Sequence, residues 1–188
     1  MKITVVIILF VAFNSCSKKV YKVSREAQEL ISYKSGDELI FNNGISDSDT
    51  ILIERVDSFI SPSDPLDVFP RKIEHYIVYS KTGEKSSSET KLLSISRNEK
   101  GETLVNINFR TSKSKFYGPN NFTLQQLNGY KVEEVKIGDT NYEDVWIFDA
   151  TNRKFEERDN FIERLYWSKS KGIIKYEKKG NEVWELKI

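Results

Sequence analysis

Along most of this chain apolar and polar residues alternate with a period of two, the pattern of strands that bury one face. Ten such stretches are legible: Glu38–Asn43, Asp49–Phe59, Lys72–Lys81, Thr90–Arg97, Thr103–Arg110, Tyr130–Ile137, Tyr142–Asp149, Phe161–Ser168, Ile173–Lys178 and Glu182–Ile188. The cleanest is the fifth, where Val105, Ile107 and Phe109 alternate with Asn106 and Asn108. Turn chemistry separates them at Thr82-Gly83-Glu84, Asn98 to Gly101, Gly138-Asp139-Thr140-Asn141, Gly172 and Lys179-Gly180-Asn181. About ten strands joined this tightly predict a mainly β protein: one antiparallel domain, as a curved sheet or partly open barrel.

Several stretches of the body break the period, Phe116–Asn120 and the charged Thr151–Asn160 among them, and three carry a more specific signal. In Val20–Lys34, Ser24 is placed to cap a short helix with Ala27, Leu30 and Ile31 on one face. Phe122–Asn128 predicts one or two helical turns, capped by Asn121 and stopped by Gly129. Ser61–Pro70 holds three of the four prolines, which lack the N–H a central strand donates, and so predicts a loop. It is a candidate binding segment beside its simpler role as a connection.

The N-terminus follows different rules. Lys2 precedes an apolar run from Ile3 to Phe13, broken only by the hydroxyl of Thr4. A bilayer needs about 20 apolar residues in a helix, so this run is too short to span and fits the core of a secretory signal. Asn14 and Ser15 follow, then Cys16, the only cysteine. Phe13-Asn14-Ser15-Cys16 resembles a bacterial lipobox in the looser form of Bacteroidota-type bacteria. That resemblance implies cleavage before Cys16 and a lipid on its thiol. The domain reading is then a lipoprotein signal peptide over 1–15, a lipidated tether and lead-in over 16–34, and the β domain over 35–188. Ser17 is not the Asp that resembles an inner-membrane retention signal in enterobacterial lipoproteins, and no acidic cluster resembling a Bacteroidota surface-export signal follows, which implies the outer membrane, facing the periplasm.

Charge narrows the partners. The chain carries 29 basic and 28 acidic residues, and loss of the signal removes Lys2 and leaves the two in balance. That removes the electrostatic case for nucleic acid. A single cysteine also rules out internal disulfides as the source of stability.

Candidate chemistry is sparse. His75 is the only histidine, on a strand where Ile73, Ile77 and Tyr79 share its face. With no second histidine or free cysteine to complete a ligand set, it reads as a hydrogen-bonded structural residue rather than a metal ligand or base. No nucleophile elbow and no phosphate-binding Gly-rich loop occur. Catalytic residues, metals and cofactors are accordingly expected to be none, and the protein is read as non-enzymatic. Asp49-Thr50-Ile51 resembles the O-glycosylation sequon of Bacteroidota envelope proteins, which makes Thr50 a candidate acceptor. Trp146, Trp167 and Trp184 lie on three C-terminal strands, where large aromatics pack a core or line a cavity for an apolar ligand.

A second resemblance covers roughly the last fifty residues. Tyr142-Glu143-Asp144-Val145, Tyr166-Trp167-Ser168-Lys169 with Gly172-Ile173-Ile174-Lys175-Tyr176, and Trp184-Glu185-Leu186 are similar to the endings of many uncharacterised Bacteroidota lipoproteins. It implies an antiparallel β body and brings no activity. The expectation is a membrane-anchored lipoprotein that binds an apolar or amphiphilic ligand; the alternative is an accessory subunit contacting another envelope protein.

Overall fold

The computed structural model describes residues 20–45, 47–62, 71–83 and 88–187. Cys16, the signal run and the 63–70 part of the proline-rich connection lie outside the described residues. The strands are β1 (Val20–Tyr21), β2 (Glu38–Asn42), β3 (Ser48–Pro62), β4 (Lys72–Thr82), β5 (Thr90–Arg97), β6 (Thr103–Ile107), β7 (Lys115–Phe116), β8 (Asn121–Thr123), β9 (Val132–Ile137), β10 (Thr140–Asp149), β11 (Phe161–Ser168), β12 (Gly172–Lys178) and β13 (Glu182–Leu186). Ten of them are five residues or longer. The two α-helices, α1 (Arg25–Gln28) and α2 (Leu124–Gly129), are short.

All thirteen strands join one sheet, ordered β8-β6-β5-β4-β3-β2-β13-β12-β11-β10-β9, with β1 beside β4 and β7 beside β11. It is two meanders sewn together where β13 pairs antiparallel with β2, Glu185 opposite Asn42 and Leu186 opposite Phe41. The sheet curls into a half-barrel. Register shifts at Ile53/Arg55, Val78/Tyr79, Tyr142/Val145, Ile162/Arg164 and Tyr166/Trp167 supply local bends, because a bulge adds a residue to one strand only and increases its twist. The chain passes from one open edge, β8, to the other, β9, through α2.

The concave face is filled by the protein's own side chains. Phe41, Phe109, Tyr176 and Trp184 form one aromatic group, with Tyr176 stacked on Trp184 at 5.7 Å between centroids. Phe122, Tyr130 and Phe148 form another, and all three of their ring pairs lie within 5.7 Å. Residues 20–34 close this face. Val23, Ala27, Leu30 and Tyr33 are all buried in the main core. Tyr33 also sits over the β11–β12 turn, where its hydroxyl accepts a hydrogen bond from the Ile173 amide at 2.8 Å. Gly172 in that turn has φ +80°, and a Cβ there would overlap the Tyr33 ring, so both the backbone and the space require glycine. A smaller cluster on the opposite face joins Ile137, Tyr142, Val145, Tyr166 and Ile174.

Two expectations need correction. The second helix is capped by Thr123, not Asn121: the Thr123 hydroxyl accepts from the Gln126 amide and the Gln126 side chain accepts from the Thr123 amide. Asn121 is instead opposite Asn106 in the β6–β8 pair, so strand pairing displaces the helix start by two residues. The proline-rich segment also begins as ladder, because Ser61 and Pro62 pair with Ile73 and Lys72. Proline is tolerated there because Pro62 is the last residue of β3 and, among the described residues, has no strand on its other side.

Candidate functional site

The far end of the β3–β4 hairpin runs past the strand beside it. β2 accompanies β3 only as far as Leu52, so from Arg55 to Pro62 no described strand lies on the side of β3 away from β4. The other open edges are blunted. β8 is three residues long, and β9 carries Glu133, Glu134 and Lys136, charges that discourage pairing with a foreign strand. The overhanging stretch Ser58-Phe59-Ile60-Ser61 has no charge at all. Phe59 is 44% exposed and Ile60 52%, on opposite faces of the strand.

His75 lies in this overhang. Its Nε2 is 2.8 Å from Ser61 Oγ, and its ring is stacked on Phe59 at 5.1 Å. Burial, and then the charge of Lys91, hold its pKa below the ordinary value, which favours the neutral ring. A hydrolytic serine needs a base that is itself oriented by a third group, and among the described residues no carboxylate hydrogen-bonds this imidazole. The pair fastens β3 to β4. Among the described residues there is also no group of three or more His, Cys, Asp or Glu that would hold a metal.

Trp146, Trp167 and Trp184 all point into the concave face and are each 1% exposed. Trp146 and Trp167 are direct partners across β10 and β11. Trp184 stands in a neighbouring row, opposite Tyr176 on β12, with its indole N–H donating to Glu182 at 2.9 Å. Of the three, Trp146 borders a recess of about 250 Å³ where Leu30 and Leu124 meet Glu26, Glu29, Asn128 and Lys169. Thr50 faces outward on β3, half-buried, in a groove of about 590 Å³ shared with Glu38, Leu52, Glu54, Lys81 and Ser112. Its neighbours Asp49 and Ile51 point inward, and the Asp49 carboxylate accepts from Ser112 Oγ at 2.7 Å.

Sequence reading missed the overhang because strand ends, not strand cores, create it. Phe59 was legible as the last residue of a strand and Ile60 was not, and the exposure of both depends on where β2 stops. No described helix is long and apolar enough to cross a membrane. No protein-family model, curated protein or solved structure matches the chain.

Proposed function

We propose that this chain is a lipid-anchored, non-enzymatic protein of the bacterial envelope, held by Cys16 in the outer membrane and facing the periplasm. Its body acts as an accessory subunit that contacts another envelope protein. One observation carries the choice of a surface role over a container: the concave face is occupied by Phe41, Phe109, Phe148, Trp167, Tyr176 and Trp184, all nearly or fully inaccessible. An apolar ligand of any size would have to displace that core, at a cost of several kcal/mol per large side chain. Of the exposed large apolar residues, Leu104, Tyr130 and Val132 lie on or beside the strands that form the two open edges, and Phe59 and Ile60 lie on the overhang of β3. The lipobox-like Phe13-Asn14-Ser15-Cys16 and the similarity of the C-terminal strands to Bacteroidota lipoproteins support the address.

A second reading has its own observation. The recess beside Trp146 combines two leucines with two carboxylates and an ammonium, a lining that suits a small amphiphile. Native mass spectrometry of the full-length protein extracted from membranes separates the two. The proposal expects the lipidated chain alone or with a polypeptide partner. One extra lipid-like mass per chain, released on denaturation, would overturn it in favour of the small amphiphile.

A further inference from the structure

The first described strand fixes how the body meets its anchor. β1 pairs parallel with β4, Val20 opposite Lys72 and Tyr21 opposite Ile73. Lys72 is in turn opposite Pro62 on β3, so the start of β1 and the open end of the hairpin are side by side. Because the pairing is parallel, the N-terminal end of β1 faces that open end. The attachment is reinforced by side chains. The Val23 amide donates to Glu74 at 2.8 Å, Arg97 donates to the Lys22 carbonyl at 3.2 Å, and the Arg71 guanidinium lies over the Tyr21 ring.

From Cys16 to Val20 is four residues, a reach of at most about 14 Å even when fully extended. The body is therefore held close to its lipid by a short connection into an ordered strand. We propose that the overhanging end of β3–β4 is the membrane-facing pole of the protein, with Phe59 and Ile60 resting in the headgroup layer of the bilayer that holds the lipid on Cys16. This rests on the lipid-anchored reading above. Two features select a bilayer over a protein as the occupant. The apolar residues point to opposite faces of one hairpin, so a flat partner would cover only one of them, whereas a headgroup layer surrounds both. The same end receives the chain that leads to the lipid.

The open backbone edge from Arg55 to Pro62 sets the depth. Among the described residues no strand pairs with this edge, and backbone N–H and C=O groups without a ladder partner are tolerated among headgroups and their water but not in hydrocarbon, so contact is shallow. Ile45, 82% exposed at the turn before β3, is the internal control. It lies at the opposite end of that strand, on the order of 40 Å away.

Phe59→Cys, Ile60→Cys and Ile45→Cys are each made in the full-length chain, labelled with an environment-sensitive fluorophore and reconstituted in phosphatidylcholine vesicles. The proposal expects a blue shift at positions 59 and 60. Emission there should fall strongly with nitroxide lipids labelled near the headgroup and little with those labelled near the chain end, while position 45 responds to neither. The mass of the N-terminal peptide is read on the same sample. Absence of lipid on Cys16 overturns the anchor and this proposal together. With lipid present, unresponsive probes at 59 and 60, or an equal response at 45, overturn this proposal alone and leave the hairpin end to a protein partner.

Discussion

The Tyr33 hydroxyl is one of the few polar groups in the core, and its role is local and specific. It is the acceptor for the Ile173 amide at the β11–β12 turn, in a site where burial pushes its own pKa far above the ordinary tyrosine value. Tyr33→Phe keeps the ring over Gly172 and removes only the acceptor, leaving a buried N–H unpaired. Such a loss costs about 1–3 kcal/mol, so urea unfolding should show a lower midpoint at unchanged slope. An unchanged midpoint would mean that the amide finds another partner. Nothing in the sequence marks Tyr33 for this role. It stands 140 residues from Ile173 and is brought there by the packing of residues 20–34 onto the sheet.

At the level of elements, hairpins are held by their turns as well as by their ladders. Asp144 on β10 reaches the turn after β11, where its carboxylate accepts from Ser168 Oγ at 2.7 Å and from the Ser170 amide at 2.8 Å. Burial alone would raise its pKa, but these hydrogen bonds outweigh that and hold it below the ordinary 3.8. A carboxylate depressed in the folded state contributes stability that is complete above its unfolded pKa and is lost as the pH falls through the lower folded value. Thermal unfolding should therefore show an acid-side loss below about pH 4 that is smaller in Asp144→Asn than in the parent protein. Equal acid sensitivity in the two would show that other carboxylates carry the effect. The turn at Gly172 between β11 and β12 was readable in the sequence; the Asp144 acceptor that holds Ser168 at its start was not, because it lies 24 residues away.

For the whole molecule, the N-terminal segment is part of the domain rather than a leash. Val23, Ala27, Leu30 and Tyr33 are at most 5% exposed. Burial of a large apolar side chain is worth about 1.5–3 kcal/mol, against a typical total stability of about 5–15 kcal/mol. A chain beginning at Ser35 should be mostly unfolded or aggregated by circular dichroism and gel filtration, whereas one beginning at Val20 should fold. A cooperative, parent-like transition in the shorter chain would show that residues 20–34 are dispensable. One of the two glutamates of this segment, Glu26, also accepts from Asn128 on α2 at 2.8 Å, so the N-terminal segment braces the helix that links the two sheet edges.

The period-two pattern by itself determined the strands and the fold class. Ten of its stretches reappear as the ten longer strands, because alternation is a local property of pleated backbone. Phe161–Ser168 and Thr90–Arg97 agree at both ends, since polar turn residues bound them on each side. Sequence also isolated Cys16 and excluded the charge signature of nucleic-acid binding. Only the tertiary structure decided the rest. The seam between β13 and β2, the filling of the concave face and the unaccompanied end of β3 depend on which strands become neighbours. Such contacts join residues more than a hundred positions apart, as Glu185 does with Asn42, and no local period encodes them. The surface on which the membrane-contact proposal rests is of that kind, created where one strand outruns its neighbour.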